Sequence, residues 1–137
     1  PFIYLAALLI NSDFASEKLN LSASEKKILY EVREMMSKTD CINDKFAIYK
    51  KYSGKENLSL AIYYLFTNDI SIFVFLKDLR FIQVLTNGQD LIGIGLKPSK
   101  YFAEIFDKVL KEKLNGQIHT KKEELVYIKD LIEKESS

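Results

Sequence analysis

Two stretches place cationic side chains where they could meet a phosphate. In the first, Lys45, Lys50, Lys51 and Lys55 stand among few acids, with Tyr49 and Tyr52 interleaved. Ammonium groups at this spacing can follow a phosphate backbone while a tyrosine ring stacks on a base. The competing reading is a solvated helix face with half-buried tyrosines. In the second, Lys97, Ser99 and Lys100 precede a long segment with an apolar stripe. If that segment is a helix, its unpaired amino-terminal N–H groups favour a phosphate there, although many capped helices bind nothing.

Other residue types with chemical potential find no partners in the sequence. His119 follows Ile118 in a connection, without a cysteine or an acid at ligand spacing, and reads as a turn residue. Cys41 is the only cysteine, which rules out an internal disulfide and a CxxC pair, and it has no histidine companion to make it a nucleophile. The acidic pairs Glu123 with Glu124 and Glu133 with Glu135 are expected on solvated faces of terminal helices beside lysines. Gly93 and Gly95 form a GxG without a preceding strand or the third glycine of a dinucleotide site, and no GxxxxGK[ST] occurs. No catalytic residue and no metal ligand set is therefore assigned.

The chain has 137 residues, with 20 basic against 19 acidic side chains and a formal charge of +1. That balance argues against a polybasic arm or an acidic tail, so nucleic-acid contact has to come from local patches. The run Phe2 to Ile10 is too short to cross a bilayer and lacks the flanks of a signal peptide. It reads as a core helix whose neighbours lie partly upstream, in a longer chain. Low cysteine and histidine content suits a reducing cytoplasm, with no membrane partner.

The elements that would position these residues are helical. Ser22 and Glu25 form a capping box ahead of Ile28, Leu29, Val32, Met35 and Met36, which recur on one face. Asn43 or Asp44 starts a short helix that stops near Gly54. Leu58 to Phe66 is apolar on nearly every side and reads as a central helix. Ile72, Phe75, Leu76, Leu79 and Ile82 keep helical spacing through ISIFVFLKDLRFIQVL, although its β-branched and aromatic residues would also suit a strand. Gly88, Gly93, Gly95 and Pro98 mark tight turns around a short helix. Ser99 is expected to cap a long helix bearing Tyr101, Phe102, Ile105, Phe106, Val109 and Leu110. Gly116 ends it, and Thr120 with Glu123 caps the last helix. The expectation is an all-α, bundle-like chain of about seven helices without a parallel sheet, divided into a body over 1–85 and a tail over 86–137.

The stretch Asn87 to Ile118 resembles the tail of bacterial CCA-adding tRNA nucleotidyltransferases and their poly(A) polymerase relatives. That family carries a G-x-D-L segment, a G-L-x-P-G turn, and a helix ending near D-G-x-I. The matching residues are Gly88, Asp90 and Leu91, then Gly95, Leu96 and Pro98, then Gly116 and Ile118. Leu19 to Val32 is similar to an L-x-x-S/T-x-x-E segment of the family's helical body. Ser99 stands in place of the turn's last glycine, and Asn115 in place of the aspartate.

The resemblance implies a body and tail that grip the acceptor and T-arm region of tRNA. The parent's chemistry, transfer of nucleotides to the tRNA 3′ end with Mg²⁺ and ATP or CTP, would belong to an amino-terminal head with G-S and D-x-D motifs, neither of which occurs here. The expected partners are thus tRNA and that head, with self-association possible for the chain alone. Two other classes remain open: a helical protein-interaction module built on Leu58 to Phe66 and Phe2 to Ile10, and a small enzyme using the glycine-rich turn. The latter would need acids converging near Gly93 to Lys97, where the sequence supplies only Asp90.

Overall fold

The protein is described by a computed structural model that covers residues 20–38 and 44–135. Among them are seven α-helices and one 3-10 turn, with no strand. The helices are α1 (Ala23–Ser37), α2 (Lys45–Tyr52), α3 (Asn57–Thr67), α4 (Ser71–Lys77), α5 (Gly88–Gly93), α6 (Tyr101–Leu114) and α7 (Lys121–Glu135), and the 3-10 turn is Leu79–Phe81. They form two compact units. One holds α1, α2 from Ala47, α3 and α4 through Leu76, and the other holds residues 44–46 together with the chain from Lys77 through α7. The expected readings of Phe2 to Ile10, Cys41 and Asn43 lie outside the described residues.

In the first unit, α1 begins at the expected box. Ser22 Oγ accepts from the Glu25 N–H at 3.3 Å, and Glu25 Oε2 accepts from the Ser22 N–H at 2.8 Å. Leu29, Val32 and Met35 are buried, whereas Met36 turns outward at 43 % exposure. Residues 35 and 36 lie about 100° apart on a helix, so only one of them fits the narrow stripe facing α3. Asp44 Oδ1 accepts from the Phe46 N–H at 2.9 Å and opens α2.

Helix α3 has no cap from its own N-cap residue, Glu56. The carboxylate of Glu31 on α1 supplies one instead, accepting from the Glu56 N–H at 2.8 Å and from Ser59 Oγ at 2.6 Å. The first helix thereby fixes where the third begins. The expectation that α3 is surrounded does not hold: Leu60, Ile62 and Tyr63 are buried, but Leu58 and Leu65 are 56 % and 58 % exposed. An apolar sequence on every side states what a helix can bury, not how many neighbours arrive.

The long helix expected through Ile82 also breaks. Ile72, Phe75 and Leu79 are buried at helical spacing, but α4 stops at Lys77 and the chain passes through the 3-10 turn into an irregular stretch over 82–87. The N–H groups of Leu85 and Thr86 are taken by the Glu124 carboxylate, at 3.0 Å and 2.7 Å, in place of helical carbonyls.

The second unit is built on Leu91, Ile105, Val109 and Ile128, all fully buried, with Val84, Ile94, Leu96, Phe102, Phe106 and Leu131 packed around them. Asn87 and Asp90 cap α5 reciprocally. Both α5 and α6 end in the same glycine-centred turn. Leu96 N–H reaches Leu91 O at 3.1 Å and Gly95 N–H reaches Ile92 O at 2.9 Å. Likewise Gln117 N–H reaches Glu112 O and Gly116 N–H reaches Lys113 O, both at 2.9 Å. Gly95 and Gly116 hold φ of +97° and +76°, the left-handed geometry this motif demands.

Candidate functional site

Of the first lysine patch, Lys51 does not serve as expected. It is 5 % exposed, and its Nζ lies 3.1 Å from Asp69 Oδ2 and 4.9 Å from the centre of the Tyr63 ring. The same carboxylate oxygen accepts from Tyr52 at 2.8 Å and from Tyr63 at 3.0 Å, and Asp69 Oδ1 accepts from the Ser71 N–H at 3.0 Å. Burial alone would raise the Asp69 carboxyl, but hydrogen bonds from Ser71, Tyr52 and Lys51 outweigh it and hold the group well below the usual carboxylate range. Burial also pushes the Tyr52 hydroxyl far above the usual phenol value, so the phenol keeps its proton and donates.

Tyr52 is fully buried and packs edge-on to Tyr63, with ring centres 5.8 Å apart. It cannot stack on a base. Lys55 pairs with Glu34, whose carboxyl is drawn down to about 2 by hydrogen bonds from Lys38 and Lys55. Lys45 and Lys50 are exposed, and Tyr49 is half-buried. The patch thus divides into an internal electrostatic knot at Lys51, the Lys55–Glu34 pair and two surface lysines. A charge is assigned to core or surface by the register of its helix and by what faces it, which is why a list of lysines could not separate them.

The second group stays together. Lys97, Pro98, Ser99 and Lys100 are all exposed in the bend that leads into α6. Ser99 does not cap that helix as expected. Lys100 occupies the N-cap position with helical angles, φ −57° and ψ −24°, and no side chain caps it. Phe102 N–H instead bonds to Ser99 O at 3.1 Å, and Ala103 N–H to Lys100 O at 3.2 Å. An N-cap side chain reaches back only from extended backbone, and here the chain is already coiled one residue earlier.

The turn residues are placed by the second unit. Gly88 opens α5, with the Phe102 ring 3.9 Å from where a Cβ would stand. Asp90 is tied to α7 by Lys121 at 2.8 Å. Hydrogen bonds from Lys121 and the Asn87 backbone lower its carboxyl, so Asp90 is engaged as a strut. Gly93 meets nothing within 4 Å and sits on ordinary helical backbone.

The residue that sequence reasoning missed is Glu124. Expected on a solvated face, it is fully buried. Its carboxylate pairs with Lys113 at 2.5 Å and accepts from Thr86 Oγ1 at 2.7 Å, besides the two backbone N–H groups already described. Burial would raise this carboxyl, but hydrogen bonds from Lys113 and Thr86 lead a set that lowers it. Its neighbour Glu123 does what was expected, accepting from the Thr120 N–H at 3.2 Å and additionally from the His119 N–H at 2.7 Å. His119 is exposed in the connection before α7.

No family model, no curated protein and no solved structure matches the chain. Among the described residues no group of three or more His, Cys, Asp or Glu side chains is gathered to hold a metal ion, and no helix is long and apolar enough to cross a membrane. Lys97, Ser99 and Lys100 remain together as an exposed basic bend, on a unit tied together by Glu124.

Proposed function

We propose that this chain is the helical body and tail of a tRNA nucleotidyltransferase and that it grips the acceptor and T-arm region of tRNA. Addition of CCA or A would be performed by an amino-terminal head, and Mg²⁺ with ATP or CTP would act there. The observation that carries the reading is the division of labour among the residues of the resemblance. Asp90, Leu91, Gly95, Leu96, Gly116 and Ile118 cap, end or fill the second unit, while Lys97, Ser99 and Lys100 between them face solvent. A rigid unit presenting cations at a helix amino terminus suits backbone recognition of a folded RNA, in which shape counts for more than base identity.

The test is binding to deacylated tRNA across a salt series, with a Lys97→Ala/Lys100→Ala double variant beside the parent. Binding that weakens as salt rises is expected, with the dependence reduced by about one unit of log–log slope per lysine removed. Absence of binding at low salt, or a double variant that follows the parent's salt curve, would overturn the proposal.

A second reading is favoured by a specific surface. Leu58, Leu65, Ile70 and Phe73 on and beside α3 and α4 are each more than half exposed, and exposed apolar clusters mark docking faces. In that reading the first unit is a helical protein-interaction module.

A further inference from the structure

The turn Leu79–Phe81 is pinned at one end and open at the other. Leu79 is 2 % exposed, and Ile82 N–H bonds back to Leu79 O at 3.0 Å. Arg80 and Phe81 point outward from this anchor: Phe81 is 68 % exposed, and the Arg80 guanidinium lies 5.0 Å from the centre of its ring. Single exposed apolar side chains are ordinary on protein surfaces. What distinguishes this one is an aromatic face held on a short, anchored turn with a planar cation against it.

We propose that Phe81 and Arg80 form a stacking platform for an unpaired nucleobase of RNA. The inference rests on the RNA-binding reading above and adds to it a site for a single-stranded element. Every base carries a π-face that an aromatic ring accepts regardless of sequence, and a guanidinium both stacks on such faces and pairs with the adjoining phosphate. The local charges are Lys77 and Arg80 against Asp78, so the approach of a phosphate meets a net positive turn. The exposed Gln83 follows in the irregular stretch. Paired RNA hides its base faces, so the platform selects loops, bulges and ends.

The experiment uses the full chain and a short single-stranded oligoribonucleotide carrying one 2-aminopurine, whose fluorescence falls when it stacks. The parent is expected to quench it, Phe81→Leu to bind about tenfold more weakly with the quench lost, and Phe81→Tyr to restore both. Because residue 81 is exposed, all three proteins should melt alike, which separates a recognition defect from a folding one. Oligonucleotide binding by Phe81→Leu equal to the parent's would overturn the platform. If tRNA still binds through Lys97 and Lys100 in that case, only this inference fails. If neither tRNA nor the oligonucleotide binds, the RNA reading fails with it. A Phe81→Leu change that alters only the sedimentation of the chain would assign the ring to protein contact and overturn the proposal.

Discussion

Glu124 ties the second unit together, because four donors end on its carboxylate at once: Lys113, Thr86 Oγ1 and the N–H groups of Leu85 and Thr86 all converge on it. Removing one member of a buried pair leaves the other charge uncompensated, so Glu124→Ala should cost about 3–5 kcal/mol in chemical denaturation. Glu124→Gln keeps the shape and should cost less. The pH dependence follows from the direction of the shift. The carboxyl is lowered below its usual 4.5 in the folded state, so the unfolded chain binds the proton more readily. The contribution is complete above 4.5 and fades as pH falls through the depressed folded value. Acid titration of stability should therefore show a flatter limb in Glu124→Gln than in the parent. An unchanged limb would mean that other carboxylates, Asp69 foremost, carry the acid sensitivity.

Among the elements, the glycine turns behind α5 and α6 make opposite predictions for glycines that look alike in sequence. Gly95 and Gly116 hold left-handed backbone, so Gly95→Ala or Gly116→Ala should each destabilise by about 1–2 kcal/mol. Gly93 has helical backbone and open space around its Cα, and Gly93→Ala should stabilise by up to about 1 kcal/mol through helix propensity. Thermal melts of the three variants decide this, and a loss on Gly93→Ala would show that this glycine is needed for something other than its turn. The sequence signalled the capping boxes of α1 and α7 correctly because a cap is a contact three residues long, whereas the box of Asn87 and Asp90 on α5 went unread. Ser99 misled because a cap also needs extended backbone at the N-cap position, and Lys100 holds that position with helical angles instead.

At the scale of the whole molecule, two surface properties bear on association between copies of the chain. Its formal charge of +1 provides little electrostatic repulsion between copies, and Leu58, Leu65, Ile70 and Phe73 remain exposed. Leu65→Lys with Ile70→Lys should therefore reduce concentration-dependent association in sedimentation equilibrium. A parent that stays monomeric at high concentration would remove the protein-interaction reading of that face.

Helix-forming periodicity, caps and glycine punctuation are local, and they determined the all-α class, the starts of α1, α2 and α7, and the ends of α5 and α6. The burial of individual charges is not local. Lys51 and Glu124 look like their solvated neighbours Lys50 and Glu123, and only tertiary contacts turned them into the hubs at Asp69 and Thr86. The same holds for α3, whose apolar surround became half core and half surface once α1 covered one side. Sequence spacing fixes which residues share a helix face, but whether that face meets a carboxylate, a ring or water depends on residues 11 to 39 positions away, and that pairing exists only in the folded chain.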